Sequence, residues 1–340
     1  MSEQQHRLRF VLILGTLSAT GPLSIDLYLP ALPQMMRQFQ TSASLIQLSL
    51  TACLLGLAFG QLIAGPLSDH YGRKRPLIVG FLVFALASLL IAMAHSITML
   101  IVMRFIQGLA GASGQVLSRA VARDLFSGHA LTNFYAILNA VNGVFPIIAP
   151  IIGGYMIRFV PWEAVFILLG VVGLVLAGLI FIGIPETLAP EKRLTGPVFA
   201  TFKSFKTLIE LPGFLRNIVI TGMVYGCLFS YISASTFIYQ QLFHLSAQAF
   251  SLFYAINGLG IVICSGLPSR VNRLSERVQV KIGMVLVLLD SLILLVGSWL
   301  HFPLIAVAVL LWCLVVFVGM LLTLTTAIIM NQTPQNAGSA

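Results

Sequence analysis

Charge is what this sequence has least of. Asp, Glu, Lys and Arg make up 9% of its 340 residues, Asp and Glu number only 10, and 58% of the chain is hydrophobic. That balance leaves no charged shell for a soluble protein of this length, so the sequence reads as an integral membrane protein. The net charge of +9 would suggest nucleic acid in a soluble protein. Here the cations sit in short segments between apolar runs and form no solvated patch, which argues against a nucleic-acid partner and for the positive-inside bias of membrane proteins. Cysteine is scarce too. Cys53, Cys227, Cys264 and Cys313 fall within apolar runs with neither a pairing motif nor metal-type spacing, and are expected to be small buried thiols. The histidines, His6, His70, His95, His129, His244 and His301, lie in loops or at the ends of apolar runs. No nucleophile and base pair, metal-ligand cluster or phosphate-binding loop is present. The chain is therefore not expected to be an enzyme, nor to hold a metal or a cofactor.

Long apolar runs are what the sequence has instead. About twenty residues of helix cross a bilayer, and runs of that order fall near residues 9–29, 45–65, 76–94, 98–123, 133–156 and 162–184. A polar stretch, 185–216, follows, and then four more runs near 217–239, 250–267, 280–300 and 303–329. The expected organisation is an all-α polytopic protein with an N-terminal six-helix bundle, 1–184, a central cytoplasmic loop, 185–216, and a C-terminal bundle, 217–340. The first run follows Arg7 and Arg9 and so faintly resembles a signal peptide, but it is long and leads into further spans, and is read as a retained helix. The Pro30 to Pro33 turn is expected to end it. With the N-terminus inside, about sixteen of the 19 Lys and Arg residues lie at the cytoplasmic side. Residues 268–273 occupy the place in the second half that 65–76 hold in the first, a weak internal repeat. Six spans before the central loop and about four after it leave the second bundle two short. The expectation is a fragment of a longer chain or a truncated product.

The densest charge in the first half is Gly65-Pro66-Leu67-Ser68-Asp69-His70-Tyr71-Gly72-Arg73-Lys74-Arg75-Pro76. It is expected to form a tight hairpin between the second and third spans. Arg73, Lys74 and Arg75 hold it at the cytoplasmic face, Asp69 accepts from backbone donors or pairs with an arginine, and Gly65 and Gly72 permit close approach and a tight turn. Within spans an ionisable group costs a few kcal/mol and is turned towards a partner or a wet cavity. Asp26, in the outer third of the first span, is either an interfacial carboxylate or a proton-binding or cation-binding group in a central cavity. Arg104, at similar depth in the fourth span, is either its electrostatic partner or a structural arginine bonded to carbonyls. Asp290, in the ninth span, has no partner evident from sequence. Gly108, Gly111 and Gly114 suggest one small-residue face on the fourth span, and Pro150, Gly153 and Gly154 a bent, thin stretch of the fifth.

These motifs together resemble the major facilitator superfamily, and within it the drug:proton antiporter group. The stretch from Gly65 to Lys74 is similar to that superfamily's signature loop, Arg104-Phe105-Ile106-Gln107-Gly108 to its fourth-helix motif, and Ala149-Pro150-Ile151-Ile152-Gly153-Gly154 to the fifth-helix motif of antiporters, with Ala149 where Gly is usual. Ser24-Ile25-Asp26-Leu27-Tyr28-Leu29-Pro30-Ala31-Leu32-Pro33 resembles the bicyclomycin and chloramphenicol resistance branch, Bcr/CflA, and residues 331–340 resemble the stretch before its eleventh helix. The resemblance implies a two-bundle fold of twelve spans, ten of them visible here, that alternates between inward-open and outward-open forms. It implies efflux of a small amphipathic, drug-like compound against protons from the bacterial inner membrane by a monomer. Asp26 would carry the proton or a cationic substrate, with Arg104 as its modulator. Asp69 and Arg73 would belong to a cytoplasmic gating latch, and Tyr28, Gln107, Gln115, Asn139 and Asn142 would line the cavity. The alternatives are a metabolite transporter of the same superfamily and a truncated, non-transporting relative.

Overall fold

A computed structural model describes residues 3–195, 213–266 and 274–332. Residues 268–273 and 333–340, and with them the expected repeat and the stretch resembling the approach to an eleventh helix, lie outside the described residues. The first half comprises α1 (Glu3–Asp26), a 3-10 turn (Leu29–Ala31), α2 (Leu32–Gln38), α3 (Ala43–Tyr71), α4 (Lys74–Ala92), α5 (Ile97–Leu125), α6 (Gly128–Phe159) and α7 (Glu163–Gly183). The second comprises α8 (Phe214–Phe237) with a π-helical end (Ile238–Leu242), α9 (Ala247–Cys264), α10 (Glu276–Trp299) and α11 (Leu304–Gln332). Ten of these segments, with α1 and α2 counted as one, are long and apolar enough to cross a membrane. The chain forms two compact units, residues 1–200 with 246–251, and residues 201–245 with 252–340.

Local chemistry sets most of the boundaries. Ser42 and Ser96 begin α3 and α5 as N-caps, their hydroxyls accepting from the backbone N–H of Leu45 (3.3 Å) and Met99 (3.2 Å). The prolines of the first span do not end it. Pro30 and Pro33 stand in the first turns of the 3-10 segment and of α2, where a missing N–H costs nothing, so the path bends after Asp26 and continues helically to Gln38. The expected hairpin shrinks likewise. Residues 65–71 remain helical and only Gly72 and Arg73 form the turn, because Gly72 takes a φ of 87° that other residues resist.

In the first unit α3 lies along α5, α4 along α5 and α7, and α1 along α5 and α6. Lipid is as apolar as a leucine side chain, so contact rather than hydrophobicity holds such helices together. A Cβ on Gly108 would stand 2.0 Å from the Cys53 carbonyl oxygen, and one on Gly56 the same distance from that of Phe105, so α3 and α5 touch backbone to backbone. The glycines of α5 do not share one face. Steps of three residues turn by about 300°, and Gly108, Gly111 and Gly114 meet α3, Phe84 of α4 and the Leu17 carbonyl of α1 in turn. A core of Leu14, Leu17, Phe81, Leu117, Phe134 and Ile180 closes one end of this unit. The second unit has a smaller core, Val224, Val280, Val318, Leu321 and Leu324. Of the four thiols only Cys53 is buried, the others being partly exposed and all four free.

Candidate functional site

The break in the first span gathers the first unit's buried polar groups. Asp26 is the last residue of α1 and is 4% exposed. Arg104, on α5, is fully buried, and its Nη1 donates to the Ser24 carbonyl (3.0 Å) and to Gln107 Oε1 (2.5 Å). The arginine thus satisfies a carbonyl in the last turn of α1, two residues before the carboxylate. That end of a helix carries partial negative charge, which a cation offsets. The guanidinium lies over the Tyr28 ring at 4.3 Å and over Phe166 at 5.7 Å, with the two rings 5.5 Å apart. Gln107 Nε2 donates to Ser88 Oγ (2.7 Å), so α1, α4, α5 and α7 all fix this arginine. Its Nε and Nη2 have no hydrogen-bond partner among the described residues.

Of the residues expected to line a cavity, Tyr28 and Gln107 instead are fully buried. Stacking and hydrogen bonding at Arg104 consume them, and Tyr28 adds a 3.3 Å contact to Ser49 Oγ. Gln115 is half-buried and accepts from Gln61 Nε2 (3.0 Å). Asn142 Nδ2 donates to Ser18 Oγ (2.9 Å), joining α6 to α1. Asn139 is exposed. Pro150 and Gly154 of α6 meet the residues 246–251 that belong to the first unit, Ser251 Oγ donating to the Pro150 carbonyl (2.7 Å) and Gln248 Nε2 to that of Gly154 (2.7 Å). Gly153 faces the break itself, where a Cβ would stand 1.8 Å from the Leu27 carbonyl oxygen.

At the end of the unit that carries the signature loop, Arg73 is 5% exposed. Its Nη1 reaches Asp69 (2.5 Å) and Ser68 Oγ (2.7 Å), and its Nε reaches Asp124 (3.0 Å). One of the three cations expected to mark the loop's side is therefore neutralised locally. Asp124 and Glu186, which complete this cluster, were missed in the sequence because each stands far from residues 65–76. The only available signal was their position, each at the end of a run that leads to the same side. The opposite end carries a smaller group: Trp162 Nε1 donates to Gln38 (2.6 Å), and Gln38 Nε2 donates to Glu163 (2.9 Å).

In the second unit Asp290 is 6% exposed on α10, with Oδ2 unpartnered among the described residues. Sequence reasoning also passed over an aromatic cluster there. Tyr231 and Tyr254 stack at 5.9 Å, Tyr239 and Phe253 at 5.0 Å, and Asn257 Nδ2 donates to the Tyr231 hydroxyl (2.6 Å). Among the described residues no group of three or more His, Cys, Asp or Glu side chains is placed to hold a metal.

Comparison with known proteins agrees with this architecture. The family model of the Major Facilitator Superfamily matches residues 13–340. The chain is 37% identical over 339 residues to the MFS-type transporter YdgK of Bacillus subtilis, covering 99% of this chain and 84% of that one. It is 32% identical over 301 residues to a bicyclomycin resistance protein homolog of Haemophilus influenzae, covering 88% and 74%. With the multidrug resistance protein MdtL of Salmonella heidelberg it shares 26% over 270 residues, covering 79% and 68%. Two solved structures share the fold at 13% identity. They are the xylose transporter XylE of E. coli, with a TM-score of 0.72 over 98% of this chain and 86% of that one, and a bacterial homolog of the human lysosomal transporter Spinster, with a TM-score of 0.74 over 96% and 75%. The family model, the relatives and the buried arginine and loop motifs lead to one assignment: this multi-pass membrane protein belongs to the Major Facilitator Superfamily, in its drug:proton antiporter group and the Bcr/CflA branch.

Proposed function

We propose that this chain exports a small amphipathic, drug-like compound across the bacterial inner membrane in exchange for protons, with Asp26 as the coupling carboxylate. One observation carries the reading: a buried acid stands at the break of a membrane helix, beside a carbonyl already claimed by a buried arginine. Broken helices in transporters gather ion and substrate sites, because freed carbonyls and helix ends supply charge where irregular backbone is shielded from lipid. At the C-terminal end of α1 a cation is electrostatically favoured, whether a proton on the carboxylate or the ammonium of a substrate. Arg104 opposes that cation. Held in place by Tyr28, Phe166 and Gln107, it sets how strongly Asp26 competes for one, and proton and drug are thereby exclusive occupants. Gly153 lets α6 lie against the residue after Asp26, so a movement of α6 reaches the site directly.

The likeness to bicyclomycin and multidrug resistance proteins supports the substrate class, and no cofactor is needed when the proton gradient supplies the energy. The N-terminus and the signature loop are assigned to the cytoplasm on the positive-inside bias, and the monomer is what the resemblance to the family implies. The test is Asp26→Asn, assayed as accumulation of a fluorescent cationic drug in energised cells. Expected is loss of proton-driven efflux with normal insertion. Unchanged efflux in the variant would remove Asp26 from the mechanism.

A further inference from the structure

The turn of the signature loop is two residues long, and the backbone donors at its end are met by a carboxylate 112 and 113 residues away. Glu186 Oε1 accepts from the Arg73 N–H (2.8 Å) and Oε2 from that of Lys74 (3.3 Å). These are the first N–H groups of α4, which has no side-chain cap from its own N-cap residue. A helix start leaves such donors unsatisfied and carries partial positive charge, so an acid there serves both needs. Glu186 Oε1 also accepts from Leu188 N–H (3.1 Å), which folds the segment after α7 back upon itself.

That segment is held at further points. Thr187 Oγ1 donates to Asp124 Oδ2 (3.0 Å), the same oxygen that receives Arg73 Nε (3.0 Å). The Leu194 N–H donates to the Asp69 carbonyl (2.9 Å), and the Leu194 carbonyl lies 2.9 Å from His70 Nδ1. Space at the turn is limited accordingly. A Cβ on Gly72 would stand 2.3 Å from Glu186 Oε2 and 3.1 Å from Arg193 Nη2, so a larger residue must push the carboxylate aside as well as bear the positive φ.

We propose that Glu186 is the positioning residue of the signature loop, and that residues 185–194 are a strap whose docking sets the loop's geometry. Arg73 can reach Asp69 and Asp124 together only while its own backbone is fixed, and Glu186 fixes it. Because the strap opens the segment leading out of the first unit's last span, drawing it away and releasing the loop are one event. The charged and titratable groups around the carboxylate are Arg73, its guanidinium committed to the two aspartates; Lys74, whose ammonium lies over the Phe181 ring at 5.4 Å; Arg193; and Asp69, Asp124 and His70 across the cluster.

The test reads docking on the purified, full-length protein and does not depend on transport, so failure of the export reading leaves it intact. Trypsin cuts after Lys192 and Arg193, and protease attack tracks the population of the undocked form. Glu186→Gln keeps the size but loses the charge and one acceptor. Expected is about a fivefold rise in cleavage there, equivalent to about 1 kcal/mol, with faster amide hydrogen exchange in both 72–76 and 187–195 and none added in 43–60. Glu186→Asp retains the charge and restores part of the protection. Gly72→Ala, which displaces the carboxylate, reproduces the pattern of Glu186→Gln. The proposal is overturned if Glu186→Gln is cut at the wild-type rate, if Glu186→Asp behaves no better than Glu186→Gln, or if 187–195 loosens while 72–76 does not.

Discussion

Replacing Gly153 by alanine puts a methyl group where the Leu27 carbonyl oxygen already stands. The added carbon would lie 1.8 Å from that oxygen and 2.9 Å from the carbonyl carbon, both backbone atoms that no rotamer change can move. Carbon and oxygen of this kind rest at about 3.3–3.6 Å, so α6 and the turn after α1 must part by about 1.5 Å. Overpacking of a closed contact costs about 1–3 kcal/mol, and a clash with backbone belongs at the upper end. Alanine's better helix propensity returns at most about 1 kcal/mol. The net expectation for Gly153→Ala is a loss of about 2 kcal/mol. Gly178→Ala on α7 supplies the control, because nothing lies within 4 Å of its would-be Cβ and only the propensity gain remains. The two variants should therefore melt on opposite sides of the wild type. A thiol-reactive dye can report this in detergent, since Cys53 is buried and becomes available on unfolding. The contact assigned to Gly153 is refuted if Gly153→Ala melts at or above the wild-type temperature while Gly178→Ala behaves as expected. The same variant, displacing Leu27, also shifts the residue after Asp26, so export should fall further than stability alone accounts for.

Other outcomes follow from single contacts. Arg104→Lys keeps the charge but loses the flat guanidinium over Tyr28 and displaces the single donor, Nη1, that serves both the Ser24 carbonyl and Gln107. A loss of about 1.5–3 kcal/mol is expected, read as a lower melting temperature, and a wild-type melt would show that the stack is not what holds α1 to α5. Trp162→Phe removes the donor to Gln38 and should cost about 1 kcal/mol in the same assay, with no effect on trypsin cleavage at the strap. Glu186 supplies a pH dependence. Burial works to raise its carboxyl, but the N–H groups of Arg73, Leu188 and Lys74 and the charge of Arg193 outweigh it and hold it below the usual carboxylate range. A group lowered in the folded state contributes stability above its unfolded value, and that contribution is lost as pH falls through the lower folded value. Wild type should therefore melt above Glu186→Gln at neutral pH and converge with it below the ordinary glutamate range. Water reaches this side chain, so the gap should be no more than about 1 kcal/mol. A gap that widens on acidification would contradict the assignment.

Composition and periodicity determined a large part of this protein. The scarcity of charge and the spacing of the apolar runs pointed to a helical membrane protein and to the ten spans found among the described residues, because a bilayer admits little else. Boundaries held where a residue acts on its own neighbours, as Ser42 and Ser96 do when they cap α3 and α5. They slipped where a local signal has two outcomes. Pro30 can end a helix or open the next turn, and only the packing around the break selected the second. The position of Asp26 was legible, but the partner of the Ser24 carbonyl was not, since Arg104 lies 80 residues away. Tyr28 was expected in a cavity only from the helix it belongs to under the resemblance, whereas its ring lies under the Arg104 guanidinium. The three glycines of α5 shared a spacing but not a neighbour, because helical rotation sends each to a different helix. The strap was the least visible. A carboxylate that meets the backbone of a distant turn leaves no pattern in sequence, since it binds N–H groups that every residue but proline possesses. The sequence by itself thus determined which segments enter the membrane and which residues can carry charge there. The tertiary structure decided which of those charges are satisfied, and by which helix, because that depends on contacts between segments that the chain order keeps far apart.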